Sequence, residues 1–151
     1  MSGEALLDIN VLVALFDPDH VHHELAHDWF SEEGARGWAT CPLTENGFVR
    51  VVSNLAYGSP VHRVEDLAAR LRRFCRQPGH RFWPDVVSLL DEELFDLSVL
   101  GSPRHLTDVY LLGLAKKMDG RLVTFDRAIA RKAVRGASDS TLEVIAPARS
   151  D

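Results

Sequence analysis

The stretch Leu6-Leu7-Asp8-Ile9-Asn10-Val11-Leu12-Val13 decides how this chain is read. Without Asp8 it would be an ordinary buried apolar run. Leu6-Leu7-Asp8 reads as a short buried strand, and Asn10 to Phe16 as a helix that begins at once, so a carboxylate falls at the junction of strand and helix. Burying a carboxylate is costly unless a cation or a dense hydrogen-bond network compensates it. Asp8 therefore needs a partner.

The same strand-then-helix alternation continues outward from this unit. His22 to Glu33 reads as a helix with Leu25, Ala26, Trp29 and Phe30 at helical spacing, ended by Gly34 and Gly37. Trp38-Ala39-Thr40-Cys41 is a second strand, and Pro42 suits the first turn of a helix running to about Leu55. After Gly58-Ser59-Pro60, Val64 to Cys75 is an amphipathic helix, and His80-Arg81-Phe82-Trp83 is a strand closed by Pro84. Residues 86–96 are expected to be helical, Leu97-Ser98-Val99-Leu100 is ambiguous, and Gly101-Ser102-Pro103 is a loop. Leu106-Thr107 opens a helix to about Met118, stopped by Asp119-Gly120. Arg121 to Phe125 is a strand, a short helix is expected from about Arg127, Leu142 to Ile145 is the last strand, and the tail is expected to fray. Strands alternating with helices in this way imply right-handed crossovers and a mostly parallel sheet, with the functional crevice beyond the carboxyl ends of the strands. Asp8 and Asp126 fall at such ends.

The 151 residues suit one domain, expected to span 1–151, large enough to bury a sizeable core. Two cysteines, Cys41 and Cys75, form no disulfide framework. The N-terminus lacks the basic region of a signal peptide, and no apolar run reaches the length of a membrane helix. A soluble, cytoplasmic protein is expected. The net charge of −5 argues against a whole-surface nucleic-acid binder. Its distribution is uneven, with Arg63, Arg70, Arg72, Arg73, Arg76 and Arg81 in one segment and Arg121, Arg127, Arg131, Lys132 and Arg135 in another. Such asymmetry can steer a polyanion to one face, although solvated helix faces explain the same pattern.

Three further acids share the character of Asp8. Asp126 directly follows the strand Leu122-Val123-Thr124-Phe125. Asp108 precedes Leu111, Leu112 and Ala115 on one helical face, and Glu45 shares a face with Phe48, Val49 and Val52. Singly, Asp8 and Asp126 read as N-caps and Asp108 as a partner of the helix dipole. Four inward-facing acids together are better explained by convergence on an ion. Carboxylate oxygens are hard ligands that suit Mg²⁺, or Mn²⁺, rather than zinc. Such a site stabilises in-line displacement at phosphorus, so phosphodiester hydrolysis is the natural reaction class.

Four stretches together resemble the PIN-domain nucleases, particularly the VapC-like toxins of toxin–antitoxin modules. They are Leu7-Asp8-Ile9-Asn10-Val11-Leu12, Pro42-Leu43-Thr44-Glu45-Asn46-Gly47-Phe48-Val49-Arg50, residues 106–115 around Asp108, and Leu122-Val123-Thr124-Phe125-Asp126. Phe82-Trp83-Pro84-Asp85 resembles a stretch common in one branch of these toxins. The resemblance implies a three-layer α/β/α fold around a parallel five-stranded sheet. It implies that Asp8 and Asp108 are the principal metal ligands and that Glu45 and Asp126 complete the site, directly or through water. Asn10 and Thr124 match polar positions that help order it. It further implies an Mg²⁺-dependent endoribonuclease that cuts structured RNA, often transfer or ribosomal RNA, to arrest translation. Such proteins usually form homodimers and are silenced by a VapB-like antitoxin. Arg63, Arg72 and Arg73 are candidates for holding RNA phosphate.

Two other function classes compete. His23-Glu24-Leu25-Ala26-His27 matches the zinc-protease pattern H-E-x-x-H on a helix, with Glu24 as general base. Its polar surroundings, and the lack of a third ligand at a family spacing, favour ordinary histidines on a helix face. The other class is a non-catalytic PIN-like binding module, in which the acids are vestigial.

Overall fold

The computed structural model describes residues 3–147. Residues 148–151, where the sequence suggests a fraying tail, lie outside the described residues. Five strands, β1 (Ala5–Leu7), β2 (Trp38–Thr40), β3 (His80–Phe82), β4 (Arg121–Thr124) and β5 (Leu142–Val144), form one sheet in the order β3-β2-β1-β4-β5. All four pairings are parallel. The α-helices are α1 (Ile9–Phe16), α2 (His23–Glu33), α3 (Pro42–Ser53), α4 (Val64–Phe74) and α5 (Leu106–Lys117).

Strand alternation splits the core into two layers. Ala5, Leu7, Trp38 and Val123 face one side, where they pack with Val11, Leu12, Trp29, Phe48, Val52, Leu67 and Leu71 from α1 to α4. Leu6, Ala39 and Leu122 face the other side, against Leu111, Leu112 and Leu114 of α5 and against Trp83, Phe95 and Val134 from irregular segments. The result is three layers, α/β/α. β1 is wholly buried, as a central parallel strand covered on both faces must be. α5 admits the Phe95 ring only because residue 113 is glycine: a Cβ there would stand 2.2 Å from it. No helix among the described residues is long and apolar enough to cross a membrane.

Two expected helices are absent. Residues 86–96 form turns, held by Ser88 Oγ accepting from Leu90 N–H (3.1 Å) and Asp91 Oδ1 accepting from Glu93 N–H (3.0 Å). Short polar side chains offered the backbone a local alternative and took it out of the helix. A 3₁₀ turn follows over Leu97–Val99, opened in the same way by Asp96 accepting from Ser98 N–H. After Asp126 the expected helix is replaced by a turn in which Asp126 Oδ1 accepts from Ala128 N–H (2.8 Å), with a 3₁₀ turn at Arg131–Ala133. The remaining elements lie where the hydrophobic pattern puts them, shifted at their ends by one or two residues.

The chain lays β2 and β3 on one side of β1, then returns to place β4 and β5 on the other. The strand order therefore reverses between β1 and β4, and side chains just past the carboxyl ends of these two strands border the crevice created there.

Candidate functional site

Asp8 ends β1 and caps α1, and only 4% of it is exposed. Its Oδ1 accepts from Ile9 N–H (2.7 Å), and its Oδ2 accepts from the Thr124 hydroxyl (2.7 Å), which is buried at the end of β4. Thr124 Oγ1 also accepts from Asn10 Nδ2 (3.2 Å) and from Asp126 N–H (3.1 Å). Its single proton and both lone pairs are thus committed, and one hydroxyl orients Asp8, Asn10 and the backbone that carries Asp126. Asn10 Oδ1 closes the arrangement by accepting from Phe125 N–H (3.4 Å).

Asp108 comes from the first turn of α5 on the opposite layer and meets Asp8 and Asp126 across one open cleft. The cleft is about 350 Å³ and is also bordered by Asn10, His20, Tyr57 and Thr107. Burial, followed by the charge of Asp8 and the charge and hydrogen bond of Asp126, pushes the Asp108 carboxyl up to about 7. Burial also raises the Asp8 carboxyl, partly offset by its bonds to Thr124 and Ile9. Like charges crowded into a half-buried site are unstable alone and stabilised by a cation between them. The donors are hard oxygens, so the set fits Mg²⁺ or Mn²⁺.

Glu45 does not line this cleft. Three of the four acids expected around one ion border the cleft, and Glu45 borders another cleft with residues of α3 and α4. Its Oε2 accepts from the Thr40 hydroxyl (2.7 Å) at the end of β2, and Thr40 Oγ1 also pairs with His80 Nε2 (2.8 Å). A first-turn position on α3 did turn Glu45 inward, and the donor it meets there is Thr40 on β2. The ligand atoms of Glu45, Cys75 and His80 all lie within 4.8 Å of one another. Burial raises the Cys75 thiol and lowers the His80 imidazolium. Nothing in the sequence flags this group, because Cys75 is a C-cap residue of α4 and His80 opens an edge strand. His20 and Tyr57 were likewise missed. Tyr57 sits in a 3₁₀ turn and reaches the cleft while its hydroxyl donates to Asp17 Oδ2 (2.6 Å).

The histidines of the zinc-protease pattern are used for packing. His23 Nδ1 lies 2.7 Å from Ala14 O and His27 Nε2 3.0 Å from Leu15 O, so both rings serve the final carbonyls of α1. Among the described residues no third histidine, cysteine or carboxylate gathers with His23 and His27 at ligand distance, so the zinc-protease reading finds no site. Arg63 and Arg73 border a shallow cleft with Arg70, while Arg72 borders the cleft that contains Glu45. Arg63 is ion-paired with Glu65.

The PIN domain family model matches residues 5–135. Ribonuclease VapC44 of Mycobacterium tuberculosis is 49% identical over 144 residues, covering 93% of this chain and 99% of that protein. Ribonuclease VapC39 of the same organism is 43% identical over 132 residues, covering 87% and 95%. The crystal structure of Mycobacterium tuberculosis VapC20, described as a sarcin-ricin loop cleaving toxin, superposes with a TM-score of 0.58 at 12% identity, over 89% of this chain and 98% of that one. That likeness concerns the fold, and the sequence relatives fix the family. With its parallel sheet, its aspartate cleft at the strand-order reversal and relatives matched along nearly their whole length, the chain belongs to the PIN-domain family, among the VapC-type nucleases.

Proposed function

We propose that this chain is a metal-dependent endoribonuclease and the toxin of a toxin–antitoxin pair. Its substrate on this reading is structured cellular RNA, transfer or ribosomal, whose cleavage arrests translation and growth. The ion is Mg²⁺, with Mn²⁺ able to replace it. The working form is a cytoplasmic homodimer, and a VapB-like antitoxin is the inhibitory partner. The supporting observation is the convergence of Asp8, Asp108 and Asp126, from three separate elements, on one cleft that raises the Asp108 carboxyl to about 7.

In this reading Asp8 and Asp108 hold the ion. A bound divalent ion supplies Lewis-acid stabilisation of the charge that develops as water attacks phosphorus. Thr124 and Asn10 fix the Asp8 rotamer before substrate arrives, which spares reorganisation during the reaction. Asp126, anchored by Ala128 N–H, orients the attacking water and accepts its proton. Arg63, Arg72 and Arg73 contact phosphates without reading sequence. Glu45 completes the site directly or through water, with Thr40 holding one of its oxygens as Thr124 holds one of Asp8.

The deciding experiment incubates the purified chain with total RNA in Mg²⁺, Mn²⁺, Zn²⁺ or EDTA and maps the cut ends. Cleavage in Mg²⁺ or Mn²⁺, abolished by EDTA and by Asp8→Asn, is expected. Cleavage that ignores EDTA, or survives Asp8→Asn undiminished, overturns the assignment.

A further inference from the structure

We infer that Cys75, His80 and Glu45 form a second metal site, selective for a thiophilic divalent ion such as Zn²⁺, that draws Glu45 away from the aspartates. The three side chains come from the C-cap of α4, the first residue of β3 and the first turn of α3, and their ligand atoms lie within 4.8 Å of one another. A thiolate, an imidazole and a carboxylate make a donor set that zinc prefers and magnesium does not. The ligands are held in place before any ion arrives. The His80 ring packs on Trp38 with centroids 4.6 Å apart, and Glu45 is bonded to Thr40. Thr40 is itself fully buried at the end of β2. All three ligands are half-buried, and Glu45 and Cys75 border a broad open cleft, which gives an ion a way in and leaves a fourth position for water.

The Thr40 hydroxyl has one hydrogen and gives it to Glu45, so His80 Nε2 carries its own hydrogen when it meets Thr40 Oγ1. Loading an ion forms bonds to Cys75 Sγ and His80. The thiol proton leaves to solvent, and where Nε2 is the ligand atom its proton moves to Nδ1 or to solvent. No oxidation state changes. An ion seated here also keeps Glu45 on the β3 side of the sheet. That last consequence matters for catalysis only under the nuclease reading; the binding claim stands without it.

The test titrates Co²⁺ into the reduced, metal-free full chain and follows thiolate-to-cobalt charge-transfer absorption, with Zn²⁺ as competitor. One equivalent per chain, a thiolate band, displacement by Zn²⁺ but not by excess Mg²⁺, and a higher melting temperature with Zn²⁺ are expected. Cys75→Ser should abolish the band. His80→Gln and Glu45→Gln should each weaken affinity tenfold or more, while Asp108→Asn leaves the band in place. Circular dichroism of each variant separates lost binding from lost fold. Absence of a thiolate band in folded wild-type protein overturns the inference, leaving only a hydrogen-bond network around Thr40. So does a band that survives Cys75→Ser, which would point to Cys41, or binding that Asp108→Asn removes, which would assign the ion to the aspartate cleft. Because no arm measures RNA cleavage, failure here is distinguishable from failure of the nuclease reading.

Discussion

Replacing Asp108 with asparagine removes one of three negative charges packed into a single cleft while keeping the shape of the side chain. In metal-free protein this should stabilise the fold. Lifting a carboxyl from 3.8 to about 7 corresponds to about 4 kcal/mol of differential interaction. Asp108 is only half-buried, and solvent screening reduces the figure to about 2 kcal/mol. An amide can still donate a hydrogen bond to Asp126, as the protonated acid does, so little is lost in exchange. For a domain of this size the gain is about 4–8 °C in Tm. The sign follows from the raised folded pKa. The contribution of Asp108 to wild-type stability is fully present below about 3.8 and is lost as pH rises through about 7. The variant lacks this titration, so the gap between the two proteins should be closed near pH 4, open between pH 4 and 7, and be complete at pH 8. Thermal melts in EDTA across that range measure it. If Asp108→Asn melts no higher than wild type at pH 8, or if the gap persists in acid, the aspartates are not repelling one another as described. Added Mg²⁺ should then reverse the order, since only wild type gains from binding an ion in the folded state.

Thr124→Val leaves an Asp8 oxygen without its buried donor and should cost about 1–3 kcal/mol in chemical denaturation, with RNA cleavage falling as well. Thr124→Ser, which restores the hydroxyl, should recover most of the cleavage. Gly113→Ala forces a methyl into the Phe95 ring; overpacking of about 1–3 kcal/mol outweighs the better helix propensity, so the Tm should drop with no change in metal dependence. Glu24→Gln should leave cleavage unchanged, whereas His23→Ala, which strips a cap from α1, should lower stability by about 1 kcal/mol. Loss of RNA cleavage in folded Glu24→Gln would place this helix in the nuclease site.

Hydrophobic pattern carried β1, β2 and β4 well because they are buried along most or all of their length, and parallel strands covered on both faces have no other signature; the edge strands β3 and β5 are only partly buried. The pattern failed at 86–96, expected to be helical, where Ser88 and Asp91 bind their own backbone instead. Asp8, Asp108 and Asp126 were legible because a charged residue at an inward position is conspicuous in sequence. The direction Glu45 takes was not. Helical periodicity fixes a face but not which donor a long side chain meets there, and here that is Thr40 at the end of β2. Cys75 and His80 were invisible for a related reason: a helix end and an edge strand carry no periodic signal, so only tertiary packing brings them together.

The position of β4 beside β1 bears on how a cell survives making such a protein. Asp8 is synthesised well before Asp108 and Asp126, and the cleft needs β4 to insert next to a strand made long before. Pairings so distant in sequence form late, after loop-closure entropy has been overcome. A nascent chain that has not yet made β4 therefore lacks the cleft, and the opportunity for a partner to intercept it opens only once that strand has been made.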